Sequence, residues 1–255
     1  MKFRFSQVFR TLWVLTFCVA LCAPVLAQQA DANPPRPTSY PERTTLWEKA
    51  ILRFEESDRQ KGIPAPGGIV FVGSSSIVGW KTLAEDFPGL PVLNRGFGGS
   101  EIQDSVFYAG RVVLPYKPAV VVLYAGDNDV AAGRTQEQIV GSYQAFVEKI
   151  HAVSPDTKIL FLAIKPSPSR WKHQERIVAA NRAIAEWSAT RKNLGYIDVH
   201  TPMLGEEGMP RPEYYLADRL HMTPEGYKLW TRIVAPHLKE AYTTGTKPTE
   251  TANPK

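Results

Sequence analysis

Three serines stand in a row, Ser74, Ser75 and Ser76, directly behind the apolar run "GIVFVG" at residues 68–73. A serine hydroxyl is a weak nucleophile at neutral pH and becomes useful only when a neighbouring base takes its proton. Far along the chain, "DRLH" puts Asp218 three residues before His221, so one turn can bring the carboxylate to the ring Nδ1. A histidine held in that way accepts the serine proton, while the carboxylate fixes its tautomer and stabilises the imidazolium. Two more segments offer donors for an oxyanion: "LNRGFGGS" (Leu93–Ser100) through the backbone of Gly99, and "YAGDND" (Tyr124–Asp129) through the side-chain amide of Asn128. Losing one such donor typically costs about 2.7–4 kcal/mol, so a site with several is worth building. Each segment alone reads as an ordinary turn. Together they suit acyl transfer, with the choice among the three serines still open.

That chemistry requires elements able to gather four distant segments. "LWEKAILRFEESDRQ" (46–60) has helical spacing, with Leu46, Ala50 and Phe54 on one face. "GIVFVG" is a short continuous apolar strand, "EIQDSVFYAGRVV" (101–113) a helix, and "PAVVVLYAG" (118–126) a β-branched strand. A helix at 135–153, the strand "TKILFLAI" (157–164), a long helix at 173–192 and the strand "LGYIDV" (194–199) follow. A last helix runs from Pro224 to about Ala241, with Thr223 as its N-cap. Apolar strands separated by amphipathic helices imply parallel pairing with both sheet faces covered. The expected fold is an α/β class, three-layer α/β/α sandwich around a mainly parallel, flavodoxin-like sheet, with right-handed crossovers. Ligands of such sheets bind beyond the carboxyl ends of the strands, where the candidate residues fall.

The order Ser, Gly, Asn, then Asp-x-x-His resembles the SGNH hydrolases, or GDSL-type esterases and lipases, over roughly Ile69 to Leu238. "VFVGSSSI" is similar to that family's strand followed by Gly-Asp-Ser, and "NRGFGGS" to its Asn-x-x-x-x-Gly-Asp segment. "AGDND" is similar to its Gly-x-Asn-Asp, and "DRLHMTPEGY" to its Asp-x-x-His before a helix. The resemblance implies Ser75 as nucleophile, His221 as general base and Asp218 as its orienting acid. It implies an oxyanion hole made by the N–H groups of Ser75 and Gly99, with Gly98 as the alternative donor in the same loop, and the amide of Asn128. Ser74 and Ser100 stand where the family usually has aspartate. No G-x-S-x-G elbow is present, which argues against the other large serine-hydrolase architecture.

The resemblance implies a carboxylic ester hydrolase working through an acyl-enzyme, without a cofactor. An acyltransferase would use the same residues, and a non-catalytic carbohydrate- or envelope-binding module on the same fold is the reading from another class. Substrates would be small esters or esters borne on glycans. The lack of a lid-like or long apolar insertion favours short acyl or acetyl groups. Arg95, next to the glycine-rich loop, and Arg170 and Trp171 in "KPSPSRW" are candidate substrate contacts. Asp127 and Asp129 flank Asn128, but no histidine or carboxylate with ligand spacing joins them, so no metal is expected. His151, His173, His200 and His237 read as structural or solvent-facing.

Residues 1–27 read as a signal peptide, with Lys2, Arg4 and Arg10 before the apolar "LWVLTFCVALCA" and a small-residue site ending at Ala27. The apolar core is shorter than the roughly 20 residues a spanning helix needs, so no stable membrane insertion is expected after cleavage. Cleavage would remove both cysteines, Cys18 and Cys22, and lower the formal charge from +5 to +2, which leaves little case for a nucleic-acid partner. The expected location is periplasmic or extracellular. Residues 28–43 read as a flexible leader, 44–242 as the single catalytic domain and 243–255 as a polar C-terminal tail.

Overall fold

The computed structural model describes residues 40–245, so the segment read as a signal peptide lies outside the described residues. Among the described residues there are five strands: β1 (Ile69–Gly73), β2 (Val92–Gly96), β3 (Val120–Tyr124), β4 (Lys158–Leu162) and β5 (Leu194–Ile197). They alternate with helices α1 (Tyr40–Lys61), α2 (Ser75–Gly79), α3 (Leu83–Asp86), α4 (Ile102–Val112), α5 (Asp127–Ala131), α6 (Gln136–His151), α7 (Gln174–Ala189) and α8 (Pro224–Gly245). Every strand pair is parallel and the order is β2-β1-β3-β4-β5. The chain therefore reverses direction across the sheet between β1 and β3, a topological switch point of the kind that opens a crevice at the strand ends.

Strand alternation assigns the layers. Val70, Val72, Val121 and Leu123 face one core with Ile51 of α1, Ala109 of α4, Phe146 of α6 and Ile184 of α7. Ile69, Phe71, Val120 and Val122 face the other, with Ile77 of α2, Leu83 of α3 and Trp230 of α8. With both faces covered, β1 and β3 are buried at every position, hence their unbroken apolar runs. The expected three-layer sandwich is the observed fold.

Three details differ from the sequence reading. The inward face of α1 is carried by Trp47 and Ile51 with Phe54 packed beside them, while Leu46 is half exposed. Trp47 wins because its ring meets Phe97 edge-on and its indole N–H donates to Gly98 O at 2.9 Å, a contact invisible to local periodicity. The same helix starts at Tyr40, inside the stretch read as leader. At the other end α8 continues to Gly245, a few residues into the expected tail, where a Cβ would lie 3.4 Å from Ala119 O.

Candidate active site

The site is built at the carboxyl ends of β1, β2, β3 and β4. Gly73 ends β1 with φ +132°, and a Cβ there would stand 1.8 Å from Tyr124 O, so only glycine fits. The close approach lets Ser74 N–H donate to Tyr124 O at 2.9 Å, and the chain turns off the sheet at that point. Ser74 is buried as the N-cap of α2, and its carbonyl accepts from the N–H groups of Ile77 and Val78. Ser75 is the first helical residue and the partly exposed member of the trio, with Ser74 and Ser76 buried. Of the three hydroxyls, the one at Ser75 is therefore open to a substrate.

The glycine-rich loop lies against this turn. A Cβ on Gly98 would be 3.7 Å from Ser75 Cβ, which is ordinary van der Waals contact, and Gly98 O is held by Trp47. Gly99 has φ +78°, a left-handed conformation that favours glycine. Asn128 is buried in the first turn of α5, and its Nδ2 donates to Ser100 O at 3.1 Å. The loop thus spans from Ser75 to Asn128, so the three residues expected to hold an oxyanion are brought to one edge.

Asp218 and His221 form the tight turn expected of them. Asp218 Oδ1 accepts from the N–H groups of Leu220 and His221 at 2.9 Å each, and Oδ2 lies 2.6 Å from His221 Nδ1. Arg219 adopts φ +58° to close the turn. Burial alone would raise the Asp218 carboxyl, but the bonds from His221 and the two backbone donors outweigh it and hold it down at about 2. The carboxylate therefore stays ionised throughout the neutral range.

The turn is locked to the serine helix through α8. Tyr227 OH donates to Ser76 O at 2.9 Å, and its ring packs on Trp80, which also meets Trp230 and Phe87. Gly79 makes room, since a Cβ there would come within 2.4 Å of Tyr227 OH. Gly226, the residue before Tyr227, lets α8 approach the preceding loop, where a Cβ would meet Tyr214 O at 2.8 Å. Each aromatic pair is worth about 0.5–1.5 kcal/mol beyond its buried area.

Profile comparison decides the family: the GDSL-like Lipase/Acylhydrolase family matches residues 67–229. The chain belongs to this family. Similar relatives of this GDSL-type acylhydrolase include the bovine platelet-activating factor acetylhydrolase IB subunit alpha1, 25% identical over 211 residues, covering 77% of this chain and 85% of the relative. The rat subunit alpha2 is 26% identical, covering 78% of this chain and 87% of the relative. A solved GDSL-like lipase from Bacteroides thetaiotaomicron superposes with a TM-score of 0.66 at 23% identity, covering 75% of this chain and 98% of that chain.

Several residues of the GDSL-type chain have duties that spacing did not disclose. Lys165, fully buried just past β4, donates to Asp127 Oδ2 and to Tyr124 OH, both at 3.0 Å. Burial opposes ionisation of Asp127, but Lys165 and the Asn128 N–H hold its carboxyl below the usual range. Asp127 Oδ1 accepts that Asn128 N–H at 3.0 Å, so the pair braces the residue that carries the amide donor. Asp129 receives Ile102 N–H on both oxygens, at 3.1 and 3.2 Å, and caps α4. Burial and the neighbouring Glu101 push its carboxyl up to about 8. The two acids beside Asn128 thus have internal partners. No run of residue types marks a lysine as buried, and its place at the end of an apolar strand was the available hint.

The candidate substrate contacts divide. Arg95 is a correction: its guanidinium is buried between Asp58 of α1 and Tyr116, with its Nε 2.7 Å from Tyr116 OH. It lies over the rings of Phe54 and Tyr116, since odd and even positions of β2 face opposite layers and Asn94, not Arg95, is on the face toward α2. Arg95 therefore ties α1 to the sheet. Arg170 and Trp171 lie, partly exposed, in a 3-10 turn (Pro168–His173) beside α5 and the Asp218 turn. His151 and His200 have internal partners, Thr157 O and Gln174 respectively, both at 2.9 Å.

Proposed function

We propose that this GDSL-type acylhydrolase is an exported serine esterase that hydrolyses carboxylic esters of short acyl groups, acetyl foremost, with Ser75, His221 and Asp218 as its triad. The observation that carries the reading is the 2.6 Å pair of Asp218 Oδ2 and His221 Nδ1, in the turn that leads into α8, the helix bonded through Tyr227 to the segment that presents Ser75. With Nδ1 engaged, His221 offers Nε2 to the serine hydroxyl. Ser75 Oγ attacks the ester carbonyl while His221 takes its proton. The tetrahedral oxyanion is held by the N–H groups of Ser75 and Gly99 and by Asn128 Nδ2. Collapse breaks the bond to the alcohol, which leaves with the proton from His221. Water, deprotonated by the same imidazole, then attacks the acyl-serine and releases the acid.

The acetyl preference draws support from the name of the mammalian relatives, acetylhydrolases, and from the absence of a long apolar insertion in the sequence. Small esters and acyl groups on glycans both suit an open edge of this kind. The test is labelling by a fluorophosphonate together with turnover of 4-nitrophenyl acetate. Ser75→Ala should lose both, while Ser74→Ala and Ser76→Ala keep them. Loss through Ser74→Ala or Ser76→Ala with Ser75→Ala active would refute the assignment, and a preference for palmitoyl over acetyl esters would refute the short-chain reading. Export is tested by sequencing the amino terminus of protein from the periplasm or medium, where Gln28 should come first.

A further inference from the structure

Arg170 stands at the junction of three parts of the candidate site. Its 3-10 turn packs on α5, the helix that carries Asn128. Its neighbour Ser169 donates its N–H to Arg219 O at 3.1 Å, inside the Asp218–His221 turn. Its own N–H bonds back to Ser167 O at 3.0 Å, which fixes the backbone of the turn. The turn that carries Arg170 thus adjoins both the helix of the amide donor and the turn of the base, with its backbone fixed by hydrogen bonds.

The charges around it do not balance. Asp127 is the carboxylate that feels Arg170, yet its Oδ2 already takes Lys165 Nζ at 3.0 Å and its Oδ1 the Asn128 N–H. Asp218 is engaged by His221, Glu101 by Arg134, and Asp129 by the Ile102 N–H. Two cations, Lys165 and Arg170, therefore share one carboxylate. Arg170 forms no ion pair among the described residues, and its Nε is buried without a hydrogen-bond partner. A buried guanidinium donor without an acceptor is costly, and an anion entering the site would supply one. The fork of a guanidinium matches carboxylate or phosphate geometry in a way a lysine would not.

We propose that Arg170 forms an anion subsite, selecting esters that carry a carboxylate or phosphate close to the scissile bond. This rests on the serine-esterase reading above. The measurement is kcat/KM on two matched pairs. In the first the charge is on the acyl side: 4-nitrophenyl hydrogen succinate against 4-nitrophenyl butyrate. In the second it is on the alcohol side: 1-acetyl-glycerol 3-phosphate against glycerol monoacetate.

The full-length enzyme should favour the charged member of one pair, which identifies the side. In Arg170→Met that charged-to-neutral ratio should fall roughly 10- to 100-fold, as expected for a lost hydrogen bond to a charged group. Arg170→Lys should keep part of it, and Arg182→Gln, an exposed charge on α7, should leave the ratio unmoved. Calorimetric binding of the favoured anionic ester to Ser75→Ala should weaken when Arg170→Met is added. Equal ratios for both pairs, or an Arg170→Met loss shared evenly by charged and neutral esters, would overturn the subsite. The esterase reading would survive either result as long as Ser75 labels and neutral esters turn over. Absence of labelling and of turnover would overturn both.

Discussion

Replacing Lys165 by methionine removes the paired cation from Asp127, itself only 3% exposed, and leaves that carboxylate the Asn128 N–H and the unpaired Arg170. The Nζ is 3.0 Å from Asp127 Oδ2 and 3.0 Å from Tyr124 OH, and methionine fills similar volume, so little of the change is steric. At that separation and an effective dielectric near 20, the lost attraction is about 5 kcal/mol. Breaking a buried pair from one side is commonly observed to cost about 3–5 kcal/mol. In a domain of this size that is a fall in Tm of roughly 6–20 °C. The deficit should grow with pH. In the variant only Arg170 and the Asn128 N–H oppose the burial of Asp127, so its folded carboxyl should titrate higher than the unfolded one and ionisation should work against folding above the unfolded pKa. Adding Asp127→Asn removes the stranded charge while keeping the acceptor for Asn128 N–H, so Lys165→Met/Asp127→Asn should recover much of the loss. The assay is urea unfolding at pH 5 and pH 8 for the wild type, both single variants and the double variant. A Lys165→Met cost below about 1 kcal/mol, or a double variant no better than the single, would refute the claim that this pair braces the Asn128 helix.

Asp129 gives the opposite pH signature to a salt-bridged acid. Its folded carboxyl is raised to about 8, so the unfolded state ionises first and stability should decline by about 1.4 kcal/mol per pH unit between roughly pH 4 and 8. Asp129→Asn should flatten that slope in unfolding curves, and an unchanged slope would count against it. Asp218 behaves conventionally: held at about 2, its contribution is present above the unfolded pKa and fades as pH falls toward 2, so the acid limb of kcat/KM should contain no step from this carboxylate near pH 4. Asp218→Asn should reduce kcat by roughly 10⁴-fold, as expected for a misplaced tautomer, with KM far less affected. Gly79→Ala should cost roughly 1–3 kcal/mol by crowding Tyr227 OH, and Tyr227→Phe should relieve part of that, because the next ring atom, Cζ, is 3.5 Å from the new methyl. Differential scanning calorimetry of the single and double variants checks it.

The layers were readable because their signal is local. A strand covered on both faces must be apolar at every position, as in "VVVLY", and a helix on a sheet must repeat its apolar residues every three or four. The geometry of the candidate site was legible in outline for a related reason. Gly73 answers a steric demand at one residue, and Asp218 and His221 lie within a single turn, so their pairing needs only short-range geometry. Arg95 shows the limit. Its neighbour in sequence is the glycine-rich loop, but its partners, Asp58 and Tyr116, lie 37 and 21 residues away.

What residue order alone determined about this chain is therefore the succession of strands and helices and the four segments that meet at their ends. Tertiary structure decided which hydroxyl is exposed, which charges are already neutralised and which are left over. In the sequence Lys165 is simply a charge, Asp127 a neighbour of Asn128 and Arg170 one basic residue in a loop. Their distinct roles follow from burial, which makes a pair of opposite charges stable, and from a count of two cations to one carboxylate that only the folded chain brings together.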